Sequence, residues 1–482
     1  MCHSELAHPI ANFINYSLHH CQYPDYMKKS EVSPIFKKKD FMIKDNYRPI
    51  NIIGIFPKLF EAVIAKQIEN FMAPLFNSHL GAYRKGHGCS QVLTAAIDSW
   101  KKALDQKHVV GMILMDLSKA FDAIPHDLLI AKLHSYGFST KACEFMLSYL
   151  TNRMQRVKIR DKRSTWKIVN RGIPQGSCLG PLLFNIFIND LFMNIKHAEL
   201  FNYADDNSLC ARADSFDIVS NILIQDSQNA IKWFSDNFMQ ANPNKFQSMF
   251  LKPSHYNITV PSYIEINDIP IEISNEVLLL GVKIDNKLNL DSHVSNLCKK
   301  AARQLKILMR FKRLLSRKEK EILFKTFILS NFNFCPVVWN FCSKTSLKNV
   351  EKIQERALRF LLNDSKSPYY ELLRKSGFKT LHLNRLKTIA IEVFKCVYKL
   401  NPSFLNEIFT KKDNVQSLRD PSILAIPRFN TIQYGKRSFS YYGSHLWNLM
   451  PNNIKNCTDL HTFKDLLRTW EGPACSCSIC NL

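Results

Sequence analysis

The chain has 482 residues, 46% of them hydrophobic and 11% aromatic, which is enough for two to four domains with substantial cores and too apolar for a disordered chain. Its 65 lysines and arginines against 41 aspartates and glutamates give a formal charge of +24, which suits a polyanion bound by phosphate neutralisation and counterion release. An anionic membrane surface is the alternative, but no apolar run approaches the roughly 18 residues of a spanning helix. The N-terminus has no secretory pattern, and the 14 scattered cysteines fit reduced thiols of an intracellular protein, nuclear or cytoplasmic and not secreted.

In chain order, Leu6, Ile10, Phe13 and Ile14 predict a short amphipathic helix before the turn at Tyr23-Pro24. Residues 32–36 read as a strand running into Lys37, Lys38 and Lys39, with Arg48 fixed against Pro49 nearby. These basic groups either line an anionic pocket or form a solvated loop. Residues 56–71 predict a helix with Leu59, Val63 and Ile64 inward. The glycine-rich loop at 81–88 carries Arg84 and Lys85 and lacks the ending of a P-loop, and Ser90 is placed to cap the next helix.

Residues 109–115 form a continuous apolar run, the pattern of a strand buried on both faces, and Asp116 closes it before a helix-like segment reaching Asp122. An acid at that edge lies where α/β sheets hold ligands. Residues 171–181 carry three glycines and two prolines, a turn that lets backbone approach another molecule, with Pro181 suited to the first position of a helix. Read blandly, it is a strand-to-helix connection. Residues 201–210 then put Asp205 and Asp206 at the tip of a tight hairpin. Adjacent carboxylates repel unless one protonates or a cation neutralises them, and oxygen ligands without His or Cys suit Mg²⁺ better than Zn²⁺. Alone, such a pair is usually a solvated turn. If the hairpin lies beside the strand that Asp116 closes, three carboxylates converge in a cluster of the kind that clamps two Mg²⁺ ions about 3.5–4 Å apart for in-line phosphoryl transfer.

Three motifs in order, Leu-Met-Asp-Leu-Ser-Lys-Ala-Phe-Asp (114–122), Gly-Ile-Pro-Gln-Gly-Ser-Cys-Leu-Gly-Pro-Leu-Leu-Phe (172–184) and Tyr-Ala-Asp-Asp (203–206), resemble the reverse transcriptase of LINE-type, non-LTR retrotransposons. The resemblance covers about residues 20–470 and implies an α/β (α+β) right-hand polymerase with fingers, a palm of small antiparallel sheet plus helices, and a helical thumb. It implies RNA-directed DNA synthesis from deoxynucleoside triphosphates, with an RNA template, a DNA primer or target, and two Mg²⁺ ions (or Mn²⁺) held by Asp116, Asp205, Asp206 and the carbonyl of Leu117. It assigns Lys38 and Arg48 to the incoming triphosphate, and Gln175 and Gly176 to the nucleotide and template base. Phe121 becomes a gate against the sugar 2′-hydroxyl, with helix packing as the plain alternative. Lys245, or its rival Lys252, becomes the acid that protonates leaving pyrophosphate. The loop of Arg84 and Lys85 lies beside template and primer in that family, and residues 276–285 resemble its primer grip. A further reverse-transcriptase segment and usually an endonuclease precede this point in the family, so the sequence reads as a truncated copy.

Residues 218–238 predict a helix, with Val219, Ile222, Leu223, Ala230 and Phe234 apolar, and 246–251 a strand. Asp291 is placed to cap a helix whose apolar positions include Val294, Leu297, Ala301, Leu305 and Leu308. Its other face carries Lys299, Arg303, Lys306, Arg310 and Arg313. Ser316 and Glu319 form a capping box for the next helix, and a third has Val350, Ile353, Ala357 and Phe360 inward. Such basic stripes are usually solvated, but beside a polymerase palm they favour a duplex-gripping thumb. Residues 381–400 predict another helix. The segment 434–443 mixes basic and aromatic residues, for packing or for stacking on bases. Cys475, Cys477 and Cys480 are three thiols short of a fourth zinc ligand, which His461 or a distant cysteine could supply.

The expected division is fingers 1–107, palm 108–290, thumb 291–400 and a C-terminal region 401–482. Two alternatives stay open: a catalytically inactive nucleic-acid-binding relic, and an RNA-dependent RNA polymerase, in which an aromatic gate at Phe121 is not expected.

Overall fold

The computed structural model describes residues 2–38, 40–253, 260–412 and 423–473. Lys39 and the cysteines at 475, 477 and 480 lie outside them. Helix α1 (Cys2–His19) leads to strands β1 (Lys29–Phe36) and β2 (Tyr47–Ile52), then helices α2 (Ile55–Met72) and α3 (Cys89–Asp105). Strand β3 (Val109–Ser118) is followed by one turn, α4 (Ala120–Ala123), then α5 (His126–Ser135) and α6 (Thr140–Leu150). Strands β4 (Arg153–Ile159), β5 (Lys162–Arg163) and β6 (Lys167–Val169) precede helix α7 (Gly180–Ile188) and the turn α8 (Leu191–Asn194). A hairpin of β7 (Glu199–Tyr203) and β8 (Asp206–Ala213), helix α9 (Phe216–Asp236), and strands β9 (Gln240–Ala241) and β10 (Gln247–Leu251) come next. Two small hairpins follow, β11 (Tyr263–Ile266) with β12 (Ile269–Glu272) and β13 (Glu276–Leu279) with β14 (Val282–Asp285).

The central sheet runs β10-β3-β8-β7, all antiparallel, with β9 adding to the end of β3. Its middle strand is β3, and Val109, Val110, Met112, Ile113 and Met115 are all buried, as expected of a run covered on both faces. Helix α9 covers one face, with Val219, Leu223, Ala230 and Phe234 buried. A Cβ at Gly111 would meet Val219, Leu223 and Phe250 at under 3 Å, so glycine is what lets this helix sit so close to β3. The other face packs on α3 and on the helices that follow β14.

A second sheet combines β1 and β2 with β4, β5 and β6, and β4 pairs parallel to β1. Residues 153–169, placed with the palm by contiguous division, thus share a sheet with residues 29–52. Glu31 joins the two halves, accepting from Arg156 and Arg163 with Lys158 near, which holds its carboxyl at about 2.

Beyond β14 the described chain is almost wholly helical: α10 (Asp291–Arg310), α11 (Arg317–Leu323), α12 (Ser330–Phe332), α13 (Pro336–Trp339), α14 (Lys344–Leu362), α15 (Tyr369–Ser376), α16 (Leu381–Val397), α17 (Ser403–Asn406), α18 (Phe439–Asn448), α19 (Asn452–Lys455) and α20 (Leu460–Thr469). The Ser316–Glu319 capping box is present. Asp291 departs from expectation: it is the first helical residue and accepts from Ser343 N, Ser343 Oγ and Ser346 Oγ, tying α10 to the start of α14. Ser90 likewise lies inside α3, whose N-cap is Gly88. In α2 Ile64 is inward as expected, but the buried face runs through Phe60, Glu61, Ile64, Ile68 and Met72, which leaves Leu59 and Val63 exposed on its flank.

The segment 430–442 packs on α3 through buried polar groups. Asp105 accepts from Asn430 N, Thr431 N and Thr431 Oγ1, Asp98 accepts from Ser440 N, and Lys101 Nζ donates to the Arg437 carbonyl at 2.6 Å. Burial brings the Lys101 amine down to about 7. Tyr434, Phe439 and Tyr442 are buried, so they pack within the protein rather than stand ready to stack on bases.

Candidate active site

The site begins with one antiparallel register, in which β3 and β8 pair so that Asp116 stands opposite Asp206. Residues Tyr203 and Asp206 close the β7–β8 hairpin, leaving Ala204 and Asp205 as a two-residue turn. Ala204 adopts φ +57°, a left-handed conformation that costs a non-glycine residue energy and is held by its surroundings. Buried Asn202 provides that hold, its Nδ2 donating to the Ala204 carbonyl and to Asn207 Oδ1, both at 2.9 Å. Asp205 therefore sits in the turn, while Asp206 is the first residue of a strand rather than part of the tip. Asp116 likewise does not end its strand, since β3 continues to Ser118 before the left-handed Lys119.

Few donors meet these carboxylates. Asp206 keeps an exposed surface, yet the protein around it and the charges of Asp205 and Asp116 push its pKa up to about 6, with Arg48 opposing. Asp116 Oδ2 accepts from Lys245 Nζ at 3.0 Å. Lys245 is placed there by the backbone, because β9 pairs with Leu117 and Ser118 and Asn242 N donates to the Asp116 carbonyl. Leu117 is buried on that paired stretch. Among the described residues no three His, Cys, Asp or Glu side chains stand together as a ready ligand set. The donor chemistry nevertheless fits a hard divalent cation: only oxygens are present, and mutual repulsion already raises one carboxyl.

Around the carboxylates, Arg48 on β2 and Tyr83 complete the near electrostatic field, for Asp205 raises the Tyr83 phenol and Arg48 lowers it, both after the larger effect of burial. Nothing in the 81–88 loop sequence marks Tyr83 as a neighbour of these acids. Phe121 stacks on Phe184 with centroids 4.5 Å apart and meets Tyr83 edge-on at 6.2 Å. Gln175 Nε2 donates to Asp122 Oδ1 at 2.9 Å and its carbonyl accepts from Asn51 N at 2.7 Å. Gly176, at φ +113°, would drive a Cβ to 2.6 Å from the Asn51 carbonyl oxygen, so only glycine fits there.

Residues 36–284, just over half of the chain, match the family described as reverse transcriptase (RNA-dependent DNA polymerase). The chain belongs to the reverse transcriptase family. It is similar to the probable RNA-directed DNA polymerase from transposon BS of Drosophila melanogaster, 25% identical over 339 residues, 68% of this chain and 37% of that protein. It is also similar to the probable RNA-directed DNA polymerase from transposon X-element of the same fly, 27% identical over 331 residues, 66% of this chain and 35% of that one. The chain thus spans little more than a third of these relatives. Among solved structures, apo telomerase from Candida tropicalis is similar at 12% identity and a TM-score of 0.40, over 75% of this chain and 61% of that one. The family read from the three motifs is borne out.

The remaining basic candidates separate into two kinds. Arg84 donates to the carbonyls of Asn77 and Leu80 at 2.7 and 3.0 Å and lies over the Phe76 ring, so it holds its own loop, whereas Lys85 is exposed. Lys38 is exposed in the bend after β1, and it is Lys37 whose charge reaches Asp122. Lys299, Arg303, Lys306 and Arg310 are exposed along α10, while Val294, Ala301 and Leu305 face the core. Between α10 and α14 runs a groove of about 370 Å³ edged by Lys299, Lys352 and Arg356. No described helix is long and apolar enough to cross a membrane.

Proposed function

We propose that this chain catalyses RNA-templated DNA synthesis, the reaction of a non-LTR retrotransposon reverse transcriptase, acting within the cell in the nucleus or cytoplasm. The observation that carries the reading is the pairing of Asp116 with Asp206 across two strands, with Asp205 in the adjoining turn. In this reading β1, β2 and β4–β6 form the fingers, the β3-centred sheet the palm, and the helices from α10 onward the thumb.

Asp116, Asp205 and Asp206 would hold two Mg²⁺ ions (Mn²⁺ could substitute), with the Leu117 carbonyl as a further ligand. Bound there, such ions make a primer 3′-hydroxyl more acidic and offset charge on the triphosphate and pyrophosphate. Arg48 and the fingers lysines, Lys38 together with Lys37, whose charge reaches Asp122, attract the triphosphate. Lys245 starts on Asp116 and is free to move to a leaving phosphate oxygen once that carboxylate is engaged, where it can donate a proton. Phe121, backed by Phe184, is rigid enough to exclude a ribose 2′-hydroxyl. Gln175 and Gly176 border the base. Lys85 and the α10 row of Lys299, Arg303, Lys306 and Arg310 supply charge for primer–template phosphates.

The test is extension of a DNA primer on an RNA template, by the parent chain beside Asp205→Asn. Extension by the parent and a loss of roughly 10³-fold in the variant is expected, because ion-mediated stabilisation is worth several kcal/mol. Primer–template binding without extension by either protein would support the inactive alternative. Equal use of ribonucleotides would support an RNA polymerase.

A further inference from the structure

We propose that Glu61 is a positioning residue for the nucleotide side of the site, holding the loop of Gln175 and Gly176 in place through the backbone of Cys178. The inference rests on the polymerase reading above. Glu61 lies on the inner face of α2 at 0% exposure, among Phe60, Ile64 and Ile68. A carboxylate so far from water is destabilising unless its oxygens are hydrogen-bonded. One oxygen is tied to the scaffold: Tyr149 of α6 donates its hydroxyl to Oε1 at 2.8 Å. Burial raises the Glu61 carboxyl, the Tyr149 and Cys178 hydrogen bonds and buried Arg153 work the other way, and Arg153 donates in turn to the Tyr149 carbonyl. The other oxygen reaches the loop, where Cys178 N donates to Oε2 at 2.7 Å just before α7 begins. An anionic group at this point also faces the positive end of that helix.

The loop is held at its far end as well. Asn51 N donates to the Gln175 carbonyl, and the Asn51 carbonyl packs where a Gly176 side chain would stand. Between the two ends Ser177 closes the turn, donating to the Pro174 carbonyl at 2.9 Å and accepting from Gly180 N at 2.8 Å. A shift at Cys178 is therefore passed to Gln175 and Gly176 rather than absorbed. Arg48, Asn51 and Glu61 all belong to the segment β2–α2, so the stretch that brings the triphosphate-binding arginine also fixes the loop beside the base.

Glu61→Gln keeps the shape of the side chain and removes the charge. A merely structural role predicts lower stability and an unchanged nucleotide requirement. A positioning role predicts two further effects. Hydrogen exchange in residues 174–180 rises, and single-turnover extension on pre-bound primer–template needs about tenfold more deoxynucleotide for half-maximal rate, in the range expected of small misplacements. Primer–template affinity stays within about threefold, the scatter expected of single contacts. Glu61→Asp retains the charge but withdraws it from Cys178, and gives a milder form of the same pattern should Glu61→Gln fail to fold. Unchanged exchange in 174–180 overturns the proposal, and so does raised exchange with an unchanged nucleotide requirement. A parent chain that does not extend primers contradicts the polymerase reading instead, and the exchange comparison still decides whether Glu61 holds the loop.

Discussion

Two aspartates of the unit built on the central sheet respond to their surroundings in opposite ways. Asp226 on α9 is fully buried, and burial alone would raise its pKa. It is lowered instead, because the backbone N–H groups of Ala198, His197 and Lys196 converge on its two oxygens at 2.6–3.1 Å. Asp206 keeps solvent contact, yet partial desolvation and two like charges raise it to about 6. The supply of donors, rather than depth, decides which carboxylate is at rest. Asp226 is finished by the fold, holding the connection that enters β7, whereas Asp206 is left waiting for a positive partner. The same division separates Arg84, occupied by two carbonyls, from the open row along α10.

The sharpest way to break this contrast is to neutralise the finished aspartate. Asp226→Asn leaves backbone donors without a charged acceptor and is expected to lower unfolding stability by about 2–4 kcal/mol. Denaturant melts would show it, and the nucleotide requirement of the surviving folded protein would stay unchanged. A stable variant would mean that burial, not donor supply, governs these sites.

A smaller effect tests Phe121. Phe121→Val opens the space beside Phe184 and should shift the preference for deoxynucleotides over ribonucleotides by roughly 10–100-fold, the range for a shape change in an apolar pocket. Competitive single-nucleotide incorporation reads the ratio. An unaltered ratio would leave Phe121 as packing alone.

Among the basic residues the expected pattern reverses between the two kinds. Arg84→Ala should lower stability by about 1–2 kcal/mol through its lost carbonyl partners and leave the salt dependence of nucleic-acid binding alone. Lys299→Gln should do the opposite, leaving the melt unchanged and reducing the salt slope of primer–template binding by about one.

What was legible in the sequence followed from local chemistry. The apolar run of β3, the acids at Asp116, Asp205 and Asp206, and the Ser316–Glu319 capping box each carry their signal within a few residues. The fold class followed from the family resemblance rather than from periodicity. Features that depend on distant partners were not legible. The parallel pairing of β1 with β4 joins residues over a hundred positions apart, and nothing in either strand marks the other. Glu61, Asp98, Lys101 and Asp105 sit on helices as charged residues that normally face water, and only tertiary partners account for their burial. Arg84 looked available because its acceptors are backbone carbonyls, which every residue carries. The family resemblance favours Lys245 over Lys252, and the β9 pairing is what brings it to Asp116.

The most direct measurement is the melting temperature of the parent chain and Asp206→Asn, with chelator or with Mg²⁺, between pH 4 and 8. In the folded chain Asp206 titrates near 6 against an ordinary 3.8, so between these values the folded form retains a proton that the unfolded form has released. Metal-free stability of the parent should therefore fall as pH rises through that window and stay lower above it. Above pH 6 the variant should melt higher than the parent in chelator, and Mg²⁺ should raise the parent while scarcely moving the variant. Identical melts for both proteins, indifferent to pH and to Mg²⁺, would contradict the reading of Asp206 as a charge the fold leaves open for a cation.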